Sequence, residues 1–356
     1  MMAAHTQYIE LYRNRQVMLD AAASEVLNSH RAEAAAALAQ SGFPSRKVER
    51  YRYTDMEAAF APDYGVNLSR LKFGINARDM FRCNVPGLST SMYFLENDRF
   101  RTDLQPRATL PEGVVVTSLA GACMPHRALV EEHYARIADV HRDAVAALNT
   151  MLCQDGLLIY IPAGIELPRP IQVINVLRST VPLMMNRRVL IVAEDGARAQ
   201  LLLCDHAQDN TDFLATQVTE VYVGSGAQVE LYELEETNAG CHRFANMYAD
   251  VAQGATLSHF SITLSCGETR NQTDVRMSQP GAEVSLYGCA VADKQQHVEN
   301  NTLIVHHAPQ CTSRELYKYV ADDSSVGVFA GRILVERGAQ QTVSHETNAN
   351  LVCTRE

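Results

Sequence analysis

The dipeptide Gly-Ala recurs through the second half of this chain, each time between two strand-like runs. Its instances are Gly196-Ala197, Gly226-Ala227, Gly254-Ala255, Gly281-Ala282 and Gly338-Ala339. The first three gaps are 30, 28 and 27 residues. The last gap, 57, is about twice that, with its midpoint near His307-Ala308, where alanine stays and histidine stands for glycine. A fixed period of this size marks a stack of like units. Six of them lie in register between Asn186 and Glu356.

The flanks repeat with the turn. Apolar, β-branched runs precede it at 189–192, 218–223, 247–251, 274–277, 302–305 and 332–335. After it the chain alternates: Ala227, Val229 and Leu231 fall on one face, Gln228 and Glu230 on the other. That is a strand with one side buried. Each unit then supplies two strands joined by a glycine corner, where a positive φ is available. Alanine keeps the corner thin enough to stack at about 4.8 Å between strands. One coil cannot bury its own apolar face, but neighbouring coils can. The expectation is a mainly β chain, a right-handed parallel β-helix with coils of about 27–30 residues behind an N-terminal α/mixed region. A β-sandwich with evenly spaced turns is the rival, but it does not require Gly-Ala at matching phase. A hexapeptide left-handed helix does not fit a period near 28. His259 and Gln341 break the alternation by falling at inward parity, and a buried polar residue needs a partner.

Before the repeats the pattern differs, so the chain divides at 1–148, helical and mixed, and 149–356, the β-helix core. Residues 6–40 read as one helix, with Leu11, Val17, Leu19, Val26 and Leu27 among Ala and charged residues, and a stop at Gly42 and Pro44. Short runs at 92–95 and 114–116 read as strands, and 130–148 as a second helix with Val130, Ile137, Val140, Val145 and Leu148 on one face. The runs 156–162 and 170–177 open the β region.

Composition narrows the function. With 31 basic and 41 acidic residues the net charge is −10, against the basic face of a nucleic-acid binder. No window reaches 18 apolar residues and residues 1–10 lack a signal-peptide pattern, so no membrane span or secretion is expected. Nine cysteines, scattered from Cys83 to Cys353 without a CxxC pair, fit reduced thiols and a cytoplasmic location.

Motifs for chemistry are sparse. The chain has no GxxxxGK[ST], GxSxG or HExxH, and Gly224-Ser225-Gly226 is a lone GxG inside a repeat. Cys204-Asp205-His206 and Cys241-His242 are expected in loops beyond strand ends, and His306-His307 with Cys311 form a third grouping of soft and borderline ligands. None has the paired ligand sets of a zinc site. Neighbours on a strand also point to opposite faces. Asp322-Asp323 reads as a solvated turn, since adjacent residues rarely make the separated carboxylates of a glycosidase. No catalytic, cofactor-binding or metal-ligating residue is therefore assigned, and no enzyme activity is expected.

Three segments together resemble the SufB/SufD family. The first is 42–55, GFPSRKVERYRYTD, similar to a G-x-P-x-x-K-x-E-x-W-[KR]-Y-T pattern with Tyr51 where tryptophan is usual. The second runs from Asn149 through Asp155-Gly156 to Pro170-Ile171, where the family begins its β-helix. The third, 307–318 with 327–331 and 340–351, resembles the SufD branch more than the SufB branch. The resemblance implies a scaffold that pairs with SufB on SufC ATPase subunits, builds iron–sulfur clusters and aids uptake of iron. It implies no cofactor of the chain's own, only a cluster held transiently by the whole complex. The family continues past this segment with a D-D-V-x-C-x-H-G-[AS]-T motif and a C-terminal helical domain, which are expected to be absent here together with the cysteine and histidine roles they carry. An open strand edge near 332–351 would then pair with another chain, as a heterodimer or homodimer. The alternatives are a carbohydrate-active β-helix enzyme, lyase or hydrolase, and a bare structural solenoid.

Overall fold

The computed structural model describes residues 3–72, 74, 88–104 and 109–354. Cys83 lies outside the described residues. The N-terminal region carries α1 (Ala4–Ala21), α2 (Glu25–Ser29), α3 (Arg31–Ser41), α4 (Met56–Phe60), α5 (Leu119–Ala122), α6 (Arg127–His133) and α7 (Ala144–Leu152). Four short strands are interspersed: β1 (Gly65–Val66), β2 (Ser91–Glu96), β3 (Arg99–Phe100) and β4 (Val115–Ser118). Fourteen further strands make seven coils: β5 (Asp155–Ile161) and β6 (Ile171–Leu177), β7 (Leu183–Ala193) and β8 (Arg198–Ala207), β9 (Phe213–Val223) and β10 (Gln228–Glu236), β11 (Cys241–Val251) and β12 (Thr256–Ser265), β13 (Glu268–Met277) and β14 (Glu283–Ala292), β15 (His297–His306) and β16 (Thr312–Ala321), β17 (Val326–Val335) and β18 (Val343–Val352).

From β5 onward, odd strands pair in parallel with odd strands and even with even, forming two sheets that face each other as a parallel β-solenoid. The expected architecture is thus the observed one. β2 extends the even sheet beside β6, and β4 closes the odd sheet antiparallel to β5.

The corner glycines do what the repeat requires. Gly226 has φ 67° and Ala227 behind it is fully buried. Gly164, Gly196, Gly254, Gly281 and Gly338 take the same left-handed conformation. The degenerate copy is not His307-Ala308, as spacing alone suggests. Register aligns Glu283 with Thr312, so Gln310 (φ 61°) and buried Cys311 occupy the corner. Gln341 sits in an exposed turn, not inside.

Two expected helices are interrupted. The first breaks after α1, where Ser24 accepts from the Leu27 amide and starts α2; Val17 is 83% exposed and belongs to no apolar stripe. The second separates into α6 and α7 because of one buried carboxylate. Glu220 on β9 accepts from the amides of Ala135, Arg136, Ile137 and Ala138 at 2.8–3.2 Å, which draws those groups out of any helical ladder. Asp143 then caps α7 through the amides of Val145 and Ala146, both at 2.9 Å. One core fills the solenoid bore, and a second joins α1, α3, α4 and α7 to the outer face of the odd sheet.

Candidate functional site

The bore has two halves. Next to the glycine corners it is aliphatic: Ala227, Val229 and Leu231 stack on Ala255 and Leu257, then on Ala282, Val284 and Leu286. Further along the same strands the inward positions turn polar, with Glu233 and Glu235 on β10, His259, Ser261 and Thr263 on β12, and Glu315 on β16. The opposite sheet answers with Arg187, Gln217, Arg243, Asn271, Asn300 and Thr302.

These side chains form one hydrogen-bonded column across the coils. Asn175 donates to Asp205 at 2.8 Å, and Arg187 grips the same carboxylate through both terminal nitrogens at 2.7 and 2.8 Å. Arg187 also bonds Gln217, which donates to Glu233 at 2.7 Å. His259 Nε2 lies 3.0 Å from the other Glu233 oxygen. Arg243 pairs with Asp205 at 3.3 Å and donates to Asn271 at 2.7 Å. Asn271 donates to Asn300 at 3.0 Å, Asn300 to the Tyr319 hydroxyl at 2.7 Å, and Tyr319 to the Val328 carbonyl.

Charge is balanced locally. Burial pushes the Asp205 carboxyl up, but Arg187 and Arg243 overcome this and hold it well below the usual range. Glu233 is likewise raised by burial and brought below its ordinary value by His259, Arg243 and Arg187. Glu235 stays raised by burial despite Arg243. Glu315 has Thr302 as a donor at 3.1 Å; burial, with Glu346 adding to it, lifts its pKa to about 7. Buried pairs of this kind add little net stability, but breaking one leaves a charge stranded.

His259 is therefore a partnered core histidine. The other sequence candidates do not converge. Cys204, Asp205 and His206 lie on β8 rather than in a loop, with Cys204 buried, Asp205 in the column and His206 beside Glu236 at 3.2 Å. Cys241 and His242 open β11, again not a loop, and point to opposite faces. His306 is buried against Ser313 at 2.9 Å, His307 is exposed beside Glu336 at 2.5 Å, and Cys311 is buried at its corner. Burial raises the thiol pKa of Cys153 to about 12 and those of Cys241 and Cys266 further, so these thiols stay protonated and poorly nucleophilic. Cys289 and Cys353 are exposed. Asp322 and Asp323 sit in an exposed turn.

Sequence reading missed the charged column. The signal was available: Glu233 and Glu235 continue the inward parity of Val229 and Leu231.

Residues 42–55 staple the helical layer to the odd sheet. Arg50 pairs with Asp274 on β13, and Thr54 donates to Glu299 on β15 at 2.5 Å. The Tyr51 hydroxyl bonds Asp143 at 3.0 Å while its ring lies 4.0 Å under the Arg270 guanidinium. An aromatic ring is what that cation needs, and Tyr51 supplies it where the resembling pattern has tryptophan.

Seven parallel coils with a helical layer stapled to one sheet place the chain in the class of parallel β-helix proteins. Residues 2–173 match the SufBD protein N-terminal region, and residues 176–356 match the SUF system FeS cluster assembly SufBD core domain. The chain belongs to the SufBD family. An iron–sulfur cluster assembly SufBD family protein of Synechocystis is 24% identical over 350 residues, covering 95% of this chain and 76% of that one. The iron–sulfur cluster assembly protein SufD of Bacillus subtilis is 23% identical over 68% of this chain, and SufB of the same organism 20% over 64%. The chain spans 56% and 49% of those two proteins, about half their length. Among the described residues no helix is long and apolar enough to cross a membrane.

Proposed function

We propose that this chain is a non-catalytic, SufD-like scaffold subunit that works with SufB and the ATPase SufC in iron–sulfur cluster assembly and helps iron reach the complex. The observation that carries this reading is the pair of family matches, which run through residues 2–173 and 176–356. The SufD branch is favoured by the resemblance of 307–318, 327–331 and 340–351. The state of the thiols agrees with a scaffold. Cys153, Cys241 and Cys266, buried with raised pKa, are unsuited to carry sulfur by nucleophilic transfer. The rival carbohydrate-active enzyme has no support in either family match. In this reading the partner contact lies at β17 and β18, where Leu334, Val335, Val343 and Leu351 are exposed.

The test is affinity capture of this chain after co-expression with SufB and SufC of the same organism. Stoichiometric recovery of SufB is expected. Recovery of neither partner overturns the proposal. Sedimentation of the isolated chain across the micromolar range is expected to show a dimer, and a monomer throughout would remove β17 and β18 as the contact.

A further inference from the structure

At the corner opposite the glycines, β11, β13 and β15 begin in register. His242 aligns with Glu268, and Glu268 with His297. All three side chains point outward on the odd sheet, at 34%, 21% and 21% exposure. They line one groove of about 780 Å³. Its lining residues all come from the solenoid, and its cation, Lys294, is tied to Asp293 at 3.0 Å.

We propose that His242, Glu268 and His297 form a binding site for a divalent first-row transition metal of the Zn²⁺ or Fe²⁺ class. Two imidazoles and one carboxylate are a recurring donor set for these ions, with water filling the remaining positions. The strand spacing of about 4.8 Å puts a carboxylate midway between two imidazoles roughly 10 Å apart at the backbone, so both rings reach a common point above it. Half of the site is already assembled, since His242 Nδ1 lies 2.9 Å from Glu268 Oε2. The other half is poised. His297 Nε2 is shut off from solvent and held only loosely by the Glu299 carboxylate, which at 3.6 Å lies beyond ordinary hydrogen-bond distance. Among the described residues no three such donors converge in the side-chain conformations present; one rotation of His297 from Glu299 toward Glu268 completes the set. The inference does not depend on the assembly role.

The test is titration of the chelator-treated full chain with Co²⁺, read by its visible d–d absorption, followed by displacement with Zn²⁺. One equivalent of tetrahedral or five-coordinate Co²⁺ is expected. His242→Ala and His297→Ala should each weaken binding by at least the roughly 10–100-fold that loss of an outer-sphere partner costs. Glu268→Asp should retain binding better than Glu268→Gln. His307→Ala, at an exposed histidine paired with Glu336, should change nothing. Circular dichroism of the metal-free variants separates lost ligation from lost fold. Absence of specific Co²⁺ binding overturns the proposal, as does binding that survives His297→Ala or is lost with His307→Ala.

Discussion

Glu315 stands inside the bore with Thr302 as its donor and one carboxylate oxygen, Oε1, unpartnered. Its pKa, lifted from 4.5 to about 7, makes a stability statement. The folded chain keeps a proton that the unfolded chain releases between those values, so stability falls as pH rises from about 4.5 to about 7. Glu315→Gln should remove that slope and stabilise the protein above pH 7 by on the order of 3 kcal/mol, measured as urea unfolding at pH 5 and pH 8. Equal stability gains at both pH values would contradict the assignment. Arg188 and Glu220 are fully buried partners at 2.5 Å. Glu220→Ala strands the guanidinium and also frees the four amides of 135–138, so a loss of at least 3–5 kcal/mol is expected in the same assay. Neither residue is conspicuous in the sequence. Glu220 sits in an apolar-rich run, and only the fold shows that its outward position on β9 meets the loop before α7.

At the level of strands and corners, the repeat was legible because each coil must solve the same problem of turning sharply and staying thin. Five of its corners were found directly. The sixth was placed three residues early because Ala308 preserved the wrong half of the motif, whereas register puts Gln310 at the left-handed position. Gln310→Gly should therefore be neutral or stabilising, offset only by the entropy glycine adds to the unfolded chain. Gly226→Ala has open space around it, so its cost should come from the backbone alone, about 1 kcal/mol. Gly288 is the opposite case. It faces inward, and a Cβ there would lie 2.0 Å from the Tyr317 ring. Gly288→Ala should cost about 1–3 kcal/mol or more through overpacking. Thermal melts of the three variants check the order, and Gly288→Ala ranking mildest would contradict the packing.

At the scale of the whole molecule, the helical layer is held to the odd sheet by apolar packing and by polar staples from residues 42–55. Arg50→Ala with Thr54→Val removes two staples between the helical layer and the odd sheet, each bond worth roughly 1–3 kcal/mol. The variant should gain early proteolytic cleavage within residues 1–60 while the coils stay protected from hydrogen exchange. Simultaneous loss of protection in both regions would show one cooperative unit instead. The sequence by itself determined the solenoid, its period and the apolar half of its bore, because stacking imposes the same local rule on every coil and the rule is written in consecutive residues. Only the tertiary structure decided where the helices break, which charges meet inside the bore, and that His242, Glu268 and His297 stand side by side. The first two depend on contacts between segments far apart in the chain, and the last on register between strands 26 and 29 residues apart; a shift of one residue in that register would send those side chains to the other face.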